Sequence, residues 1–468
     1  MTCKNGYVTV YFTLLLTILF SFFTALIYGV RENAMRLKIY ETADTSVTSM
    51  FAEFQSKLWE KYDLIFVDAG YGGKAESLIL TEDHLKSCAT KNFEEDGSEI
   101  LHSTDLLGLE CDGVKTSRIR FATDGQGEAI RQQAARIMKY RYSVGYIEDL
   151  YESVSDNVNS QTFSGTLMEE TVEKASGADD SLPELKEWSN TLDGCVYKET
   201  EVSSFSTLRT VFSDIDGISK AALKEEGLVS RRDLNAGNYD ACGELDATEV
   251  GFFKEYLLEY LSNFRNEKEG TVLKYEAEYV IAGHMEDAEN LEAVVNRILL
   301  TREAANLTTL MSDSRKMEEI RVYSEVLAGL LLSPETAPAI EALIIGSLSY
   351  VESLNDVRVL ISGGKVPILK DTSEWRTNFA NVFFEERDTS SYETGIEYSD
   401  YLRGFLYLED TEKETERFMD ICEANVRNLT GNNDFRLDYC FDAWAGSLSV
   451  TSRAGYTYTV SKTGDIED

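Results

Sequence analysis

Apolar and polar positions along this chain fall into three regimes. The first is unbroken: Tyr7 to Val30 is 24 residues without a charge, with Lys4 before it and Arg31 after it. At about 1.5 Å per residue that is roughly 36 Å of helix, enough to cross a hydrocarbon core of about 30 Å with some tilt. The run is longer than the apolar core of a cleaved secretory signal, and Ile27-Tyr28-Gly29-Val30 is a poor small-x-small exit. A buried core helix rarely stays uncharged for this length, so a single membrane span is predicted over 7–30. Beyond it, Met35, Ile39, Ala43, Val47, Met50, Phe51, Phe54, Leu58 and Trp59 recur at three-to-four spacing as far as Tyr62. That spacing predicts a membrane-proximal helical extension over 31–62, and one helix of about 55 residues in all.

The second regime, 63–245, is mixed. Asp63 to Asp68 reads as a buried strand ended by Gly70, Gly72 and Gly73, and 91–100 as an acidic loop. Residues 104–121 alternate like one or two strands with Asp112-Gly113 as the turn. A helix is predicted over 127–160, with loops at 176–184 and 227–243. The third regime is mostly helical over 246–375 and closes, over 376–468, with a helix and strands. Thr271 to Ala282 alternates as a strand, with Glu276 and Glu278 on one face and Tyr275 and Tyr279 on the other. From Asp287 the period turns helical, with further helices over 313–332, 335–362 and 396–428, broken near Pro334 and Gly363-Gly364. Phe435 to Val460 reads as strand with turns at Gly446 and Gly455. Helix and sheet segregate along the chain, which predicts an α+β fold with antiparallel sheet and excludes βαβ repeats. No repeat with a period of about 20–50 residues is visible.

The apolar run has internal order. Thr9, Thr13, Thr17, Ser21, Ala25 and Gly29 are spaced every fourth residue, with Leu14, Leu15, Leu16, Phe20, Phe22 and Phe23 around them. Such a row lets a second helix approach closely in a crossed pairing. The competing reading is that the hydroxyls bond back to their own helix's carbonyls. The packing reading implies membrane-helix partners; the lipid bilayer contacts 7–30 in either case.

Composition narrows the rest. Hydrophobic residues make up 43% of 468, so the chain folds, and 4 prolines leave no room for long Pro-rich linkers. The formal net charge of -37 repels nucleic acid and anionic lipid surfaces, excluding both as large-area partners. Cys88, Cys111, Cys195, Cys242, Cys422 and Cys440 follow the apolar run. Their even number fits disulfides in an oxidising exterior, and buried thiols fit nearly as well; no C-x-x-C points to zinc or redox chemistry. Flanking charge is ambiguous. Lys4 lies on one side and Arg31, Arg36 and Lys38 on the other, a small lean toward a cytoplasmic domain that a long domain can override.

Catalytic patterns are absent or broken. Ser362-Gly-Gly-Lys365, Ser155-Asp156-Asn157 and Lys462-Thr463-Gly464 together echo the serine β-lactamase set, but the order is wrong and two glycines separate the Ser from the Lys. Only His84, His102 and His284 exist, with no H-E-x-x-H and no G-x-S-x-G. Asp68-Ala-Gly-Tyr-Gly-Gly lacks the lysine of a phosphate loop, and Asp214-Ile-Asp216-Gly217 lacks calcium-loop spacing. No cofactor or metal is expected, and no enzyme activity.

Two stretches carry a resemblance. Lys4-Asn-Gly6-Tyr7-Val-Thr-Val-Tyr11-Phe12, followed by Leu14 to Phe23, resembles the leader and apolar helix of Tad-type (Flp) pilus pseudopilins. The resemblance implies leader cleavage between Gly6 and Tyr7, with 1–6 as a short basic leader; Tyr11 stands where that family carries Glu. The rest resembles a domain-of-unknown-function family of Gram-positive bacteria linked to such pilus loci. The matching stretches include Leu58-Trp-Glu-Lys-Tyr62, Gln132 to Arg141, Lys274 to Gly283, Asn290 to Arg297, Arg302 to Asn306, and Glu352 to Arg358 through Gly363-Gly-Lys-Val-Pro367. It implies a cell-membrane, single-pass protein with its large domain outside the cytoplasm, and no known activity.

Within those stretches Glu276, Glu278, Asn290, Arg297, Arg302, Asn306, Asp356 and Arg358 are close enough in sequence to build a polar network, with Glu303 and Glu352 nearby. It reads as a structural core in preference to a binding site. The expectation is a non-enzymatic surface protein, pseudopilin-like or accessory to a pilus or secretion assembly. The alternative is a membrane-tethered module that binds cell-wall or extracellular ligands.

Overall fold

The computed structural model of the chain describes residues 5–74, 77–94, 107–142, 206–212, 215–378 and 390–466. The apolar run and the amphipathic repeat behind it form one helix, α1 (Asn5–Ala52). Its apolar segment contributes nothing to the protein interior. From Met35 onward one face turns inward, and Met35, Ile39, Ala43, Val47 and Met50 are buried at helical spacing.

The expected 55-residue helix is interrupted. Gln55 N donates to Phe66 O (2.8 Å) and Phe54 bridges to Val67, so the backbone at 54–55 pairs with the segment at 66–67. Helix then resumes as α2 (Ser56–Tyr62), ended by Asp63 in the left-handed conformation. The strand expected over 63–68 shortens to β1 (Val67–Asp68). Residues 91–94 of the expected acidic loop belong to α3 (Ile79–Glu94); 95–100 lie outside the described residues.

The chain divides into two compact units. Unit 1 gathers Met1–Ile130, Asp233–Gly243 and Thr430–Asp468. Its four-stranded antiparallel sheet is organised on β3 (Cys440–Ser452). β2 (Leu109–Phe121) pairs along one edge of β3; β1 and then β4 (Thr457–Asp465) share the other. The turn expected at Asp112-Gly113 is a bulge inside a single strand, since the register shifts between Cys111 and Gly113 while pairing with β3 continues. Gly446 is likewise no turn. A Cβ there would lie 2.2 Å from the buried Trp444 ring, so glycine makes room for the indole in mid-strand. Gly455, with positive φ, sits between β3 and β4 as expected.

The core of unit 1 joins α1 to the sheet. Ile39, Ala43, Val47 and Met50 pack with Leu85 and Ala89 of α3 and with Trp444, Leu448, Val450 and Val460. Polar contacts run beside this seam: Tyr458 Oη donates to Glu32 (2.8 Å), Lys462 pairs with Asp44, and Gly464 lies against Val47 and Phe51. Across the sheet, Arg120 and Asp442 form a buried two-pronged pair at 2.8 and 2.9 Å.

Unit 2 comprises Arg131–Arg232 and Glu244–Leu429, and its described residues are mostly helical. Most of α4 (Glu128–Arg141) belongs to it; the helix expected over 127–160 ends at Arg141, and 143–160 lie outside the described residues, as does the loop at 176–184. Then follow α5 (Ser206–Val211), α6 (Ala247–Tyr260), α7 (Glu276–Ala282), α8 (Asp287–Ser312), α9 (Ser314–Leu330), α10 (Ala337–Ile361), α11 (Tyr398–Leu408) and α12 (Thr411–Thr430).

The strand expected over 271–282 is replaced by α7. Six consecutive residues, Glu276 to Ile281, are buried, so the alternation of Glu and Tyr marks no inside and outside. The helix expected over 396–428 is two helices, α11 and α12. Helices α8, α9 and α10 share a small core of Leu307, Leu310, Ile320, Ile345 and Leu348. The stretch Pro334–Ile361 is itself long and apolar enough to cross a membrane, yet 56% of its apolar window is buried. It is the central helix of unit 2.

Candidate functional site

The small-residue row of α1 keeps its hydroxyls for its own backbone. Thr13 donates to Val10 O (2.9 Å), Thr17 to Thr13 O (2.7 Å) and Ser21 to Ile18 O (2.8 Å). The row, from Thr9 to Ala25 and Gly29, stays exposed, and nothing approaches within 4 Å of a Cβ built at Gly29. Gly6 and Tyr7 lie in the first turns of α1.

The polar residues expected to form one network separate into local sites, most of them explained by the backbone they satisfy. Glu276 accepts from Ser262 N (2.9 Å), its hydroxyl and Asn425. Glu278 accepts from Phe264 N (2.9 Å) and Tyr398 Oη (2.8 Å), and burial pushes its carboxyl up to about 7. Asn290 clamps the start of α8 through His284 N, His284 O and Glu286 O. Arg297 pairs with Glu409 (2.7 Å) over the Phe405 ring, and Arg358 reaches Asn355 and Thr210 O.

The remaining three, Arg302, Asn306 and Asp356, do meet, with two partners that join them. Arg302 (α8) is 1% exposed and donates to Asp356 Oδ2 through Nε (3.1 Å) and Nη2 (2.9 Å), and to Pro367 O and Ile368 O. Asn306 Nδ2 donates to the same Oδ2 (2.9 Å) and to Ser353 Oγ. Lys370 contacts the other oxygen, Asp356 Oδ1, at 2.5 Å and also pairs with Glu352. Glu352, Asp356 and the Lys370 ammonium are sealed from solvent. Glu352 is held in turn by Thr377 N (2.8 Å), Thr377 Oγ1 (2.5 Å) and Arg376 N.

The cluster holds two cations and two anions and is neutral as a whole, which makes its burial tolerable. Glu352 and Asp356 share a face of α10 at i, i+4 spacing, and Arg302 with Asn306 repeats that spacing on α8. Lys370 escaped the sequence reading. The available signal was a lone lysine after Val366-Pro367-Ile368-Leu369.

Unit 2 also carries a polar cleft of about 490 Å³, lined among others by Glu255, Glu259, Arg265, Glu397, Tyr398 and Arg403. Arg403 bonds Glu255 at 2.8 Å and Arg265 donates to Ile361 O (2.9 Å), so its cations are held by the cleft's own walls.

Other sequence signals resolve structurally. Cys88, Cys111, Cys242, Cys422 and Cys440 stand as thiols and are not joined as disulfides; Cys195 lies outside the described residues. Asp68 accepts from Gly70 N (2.8 Å) and Gly72 N (3.0 Å), so its glycines form a turn closed by the aspartate. Lys462 and Gly464 serve the α1 seam, and Ser362 ends α10. Among the described residues no group of three or more His, Cys, Asp or Glu is placed to hold a metal ion.

Fold and site define an α+β protein with an N-terminal helix long and apolar enough to cross a membrane, and a charge cluster sealed in its helical unit. Residues 189–452 match a family of unknown function, DUF5702, and the chain belongs to that family. No curated protein and no solved structure matches the chain.

Proposed function

We propose that the protein is a non-enzymatic, single-pass membrane protein that carries its two units outside the cytoplasm and packs through α1 into a pilus or secretion assembly of the Tad/Flp type. The observation that carries this reading is the continuity of α1. One uninterrupted helix is bare over 7–30 and is a core element of unit 1 from Met35. A helix that only tethered a domain would need no such continuity. This one makes the orientation of unit 1 follow that of the membrane segment.

The leader-like Lys4-Asn5-Gly6 ahead of the apolar run supports the pilus class. The small-residue row supports a helix partner. With its hydroxyls bonded internally, it offers close backbone approach rather than interhelical hydrogen bonds. Thr13→Leu with Thr17→Leu is expected to abolish co-purification of pilus-assembly proteins from solubilised membranes while leaving membrane insertion intact. Unchanged co-purification would sink the reading.

The cleft in unit 2 favours one alternative, a membrane-tethered module that binds wall or matrix ligands. Retention of the detergent-solubilised protein on immobilised wall polymers, lost with Arg403→Ala, would support it. No retention would remove it.

A further inference from the structure

The geometry points to an intramolecular amide bond between Lys370 Nζ and Asp356 Cγ, with Glu352 as the proton carrier. The inference is independent of where the protein sits. A primary amine held 2.5 Å from a carboxylate oxygen, with both groups sealed from solvent, keeps nucleophile and acyl group side by side and away from water, which is the proximity part of acyl transfer.

The surroundings supply the remaining parts. Asp356 Oδ2, which becomes the amide oxygen, already accepts from Arg302 Nε, Arg302 Nη2 and Asn306 Nδ2 at 2.9–3.1 Å. Negative charge that develops on this oxygen as the amine adds to Cγ therefore meets three fixed donors. On the other side Lys370 Nζ donates to Glu352 Oε1, and Glu352 is fixed by Thr377 and Arg376. Glu352 can take a proton from the ammonium and return it to the departing Oδ1. The Tyr392 ring, 4.9 Å from Nζ, walls the amine.

The step balances. The ammonium loses two protons and forms the N–Cγ bond, the Cγ–Oδ1 bond breaks, and Oδ1 leaves as water with those two protons. Nothing is oxidised or reduced. Arg302 and Glu352 end as they began, so the cluster passes from two charge pairs to one and stays neutral. The driving force is the removal of two desolvated charges in favour of a neutral amide. A sealed site also keeps water from returning to hydrolyse it.

A tryptic digest of the denatured wild-type chain tests this. Peptide 322–358 carries Asp356, and 366–376 carries Lys370. An amide on Lys370 blocks cleavage after it. The expected product is one branched species lighter than the two peptides by one water, about 18 Da, with fragments that place the branch at Asp356. Separate peptides cut after Lys370 would overturn the proposal, as would a branch at Glu352. The wild-type digest decides this without any variant. Lys370→Arg, which keeps the charge, is expected to lose the branched species. Glu352→Gln is expected to lose it too; full branching in folded Glu352→Gln would remove Glu352 as proton carrier.

Discussion

Glu303 sits on α8 beside the charge cluster but takes no part in it. Its side chain is almost fully buried, one carboxylate oxygen has no hydrogen-bond partner, and burial alone pushes the group up to about 8. The folded state therefore holds a proton that the unfolded chain releases near the ordinary glutamate value. Below that value neither state is ionised and Glu303 costs nothing. As pH rises toward 8 the unfolded state ionises first, and stability falls; above 8 the penalty is complete. Glu303→Gln is expected to raise stability by about 2–4 kcal/mol at pH 8.5, given about 1.4 kcal/mol per tenfold in proton affinity and some offset from an unpartnered amide. At pH 5 the gain should be small. Urea midpoints at the two pH values check this, and a gain independent of pH would refute it.

The same scale shows what a linear reading of polar residues can find. Arg302, Asn306 and Asp356 are grouped in the sequence by closeness alone, and their meeting rests on i, i+4 faces of two helices, Arg302 with Asn306 on α8 and Glu352 with Asp356 on α10. Glu276, Glu278, Arg297 and Arg358 have the same composition but answer to different local demands. Each satisfies backbone groups or partners tens to more than a hundred residues away, such as Tyr398 for Glu278. Lys370 lies in an irregular segment with no periodicity to place it.

At the scale of elements, legibility followed exposure or punctuation. Helix α9 is read nearly to its ends because it has a wet and a dry face, and α10, which has no wet face, because Pro334 and Gly363-Gly364 bracket it. α7 was misread because it has no wet face, and a period carries information only when one side differs from the other. β2 was divided at Asp112-Gly113 because a bulge and a turn favour the same residues, and only pairing with β3 separates them.

Gly446 was misread for a related reason, since its role is set by the indole two residues earlier. Gly446→Ala would place a Cβ 2.2 Å from the Trp444 ring and 2.7 Å from Lys115 O. The ring is fully buried and its Nε1 bonds Thr116 (3.1 Å), so it has nowhere to go. The expected cost is about 1–3 kcal/mol or more, read as a lowered melting temperature and a changed near-ultraviolet circular dichroism signal. Gly113→Ala in the neighbouring strand, with nothing within 4 Å, is expected to change stability by less than about 1 kcal/mol. Equal effects at the two glycines would contradict the packing account.

At the scale of the whole molecule, unit 1 is assembled from segments that the sequence keeps far apart. β2 meets β3 across more than 300 residues, as in the bond from Ser117 to Ala445 O. Local pattern marks each as a strand and is silent about the partner, because pairing over such a separation leaves no trace in neighbouring residues. The apolar run is the opposite case, since its length and lack of charge suffice to mark a helix able to cross a membrane.

These two facts together predict what truncation does. Residues 7–30 are exposed throughout and lend nothing to the core, whereas Met35, Ile39, Ala43 and Val47 belong to it, and Asp44 and Glu32 hold β4. A protein spanning 31–468 is therefore expected to fold without detergent and to melt within about 1 °C of the full chain in micelles, since for a chain of this length a shift of that size corresponds to about 1 kcal/mol. A protein starting at residue 46 loses three buried core side chains at about 2–5 kcal/mol for each large one. That sum approaches the whole stability of a domain, so its sheet should not survive, as read by circular dichroism and protease resistance. If 31–468 aggregated while 46–468 stayed folded, α1 would be a tether and not part of the core, and the rigid coupling of the apolar segment to unit 1 would fall with it.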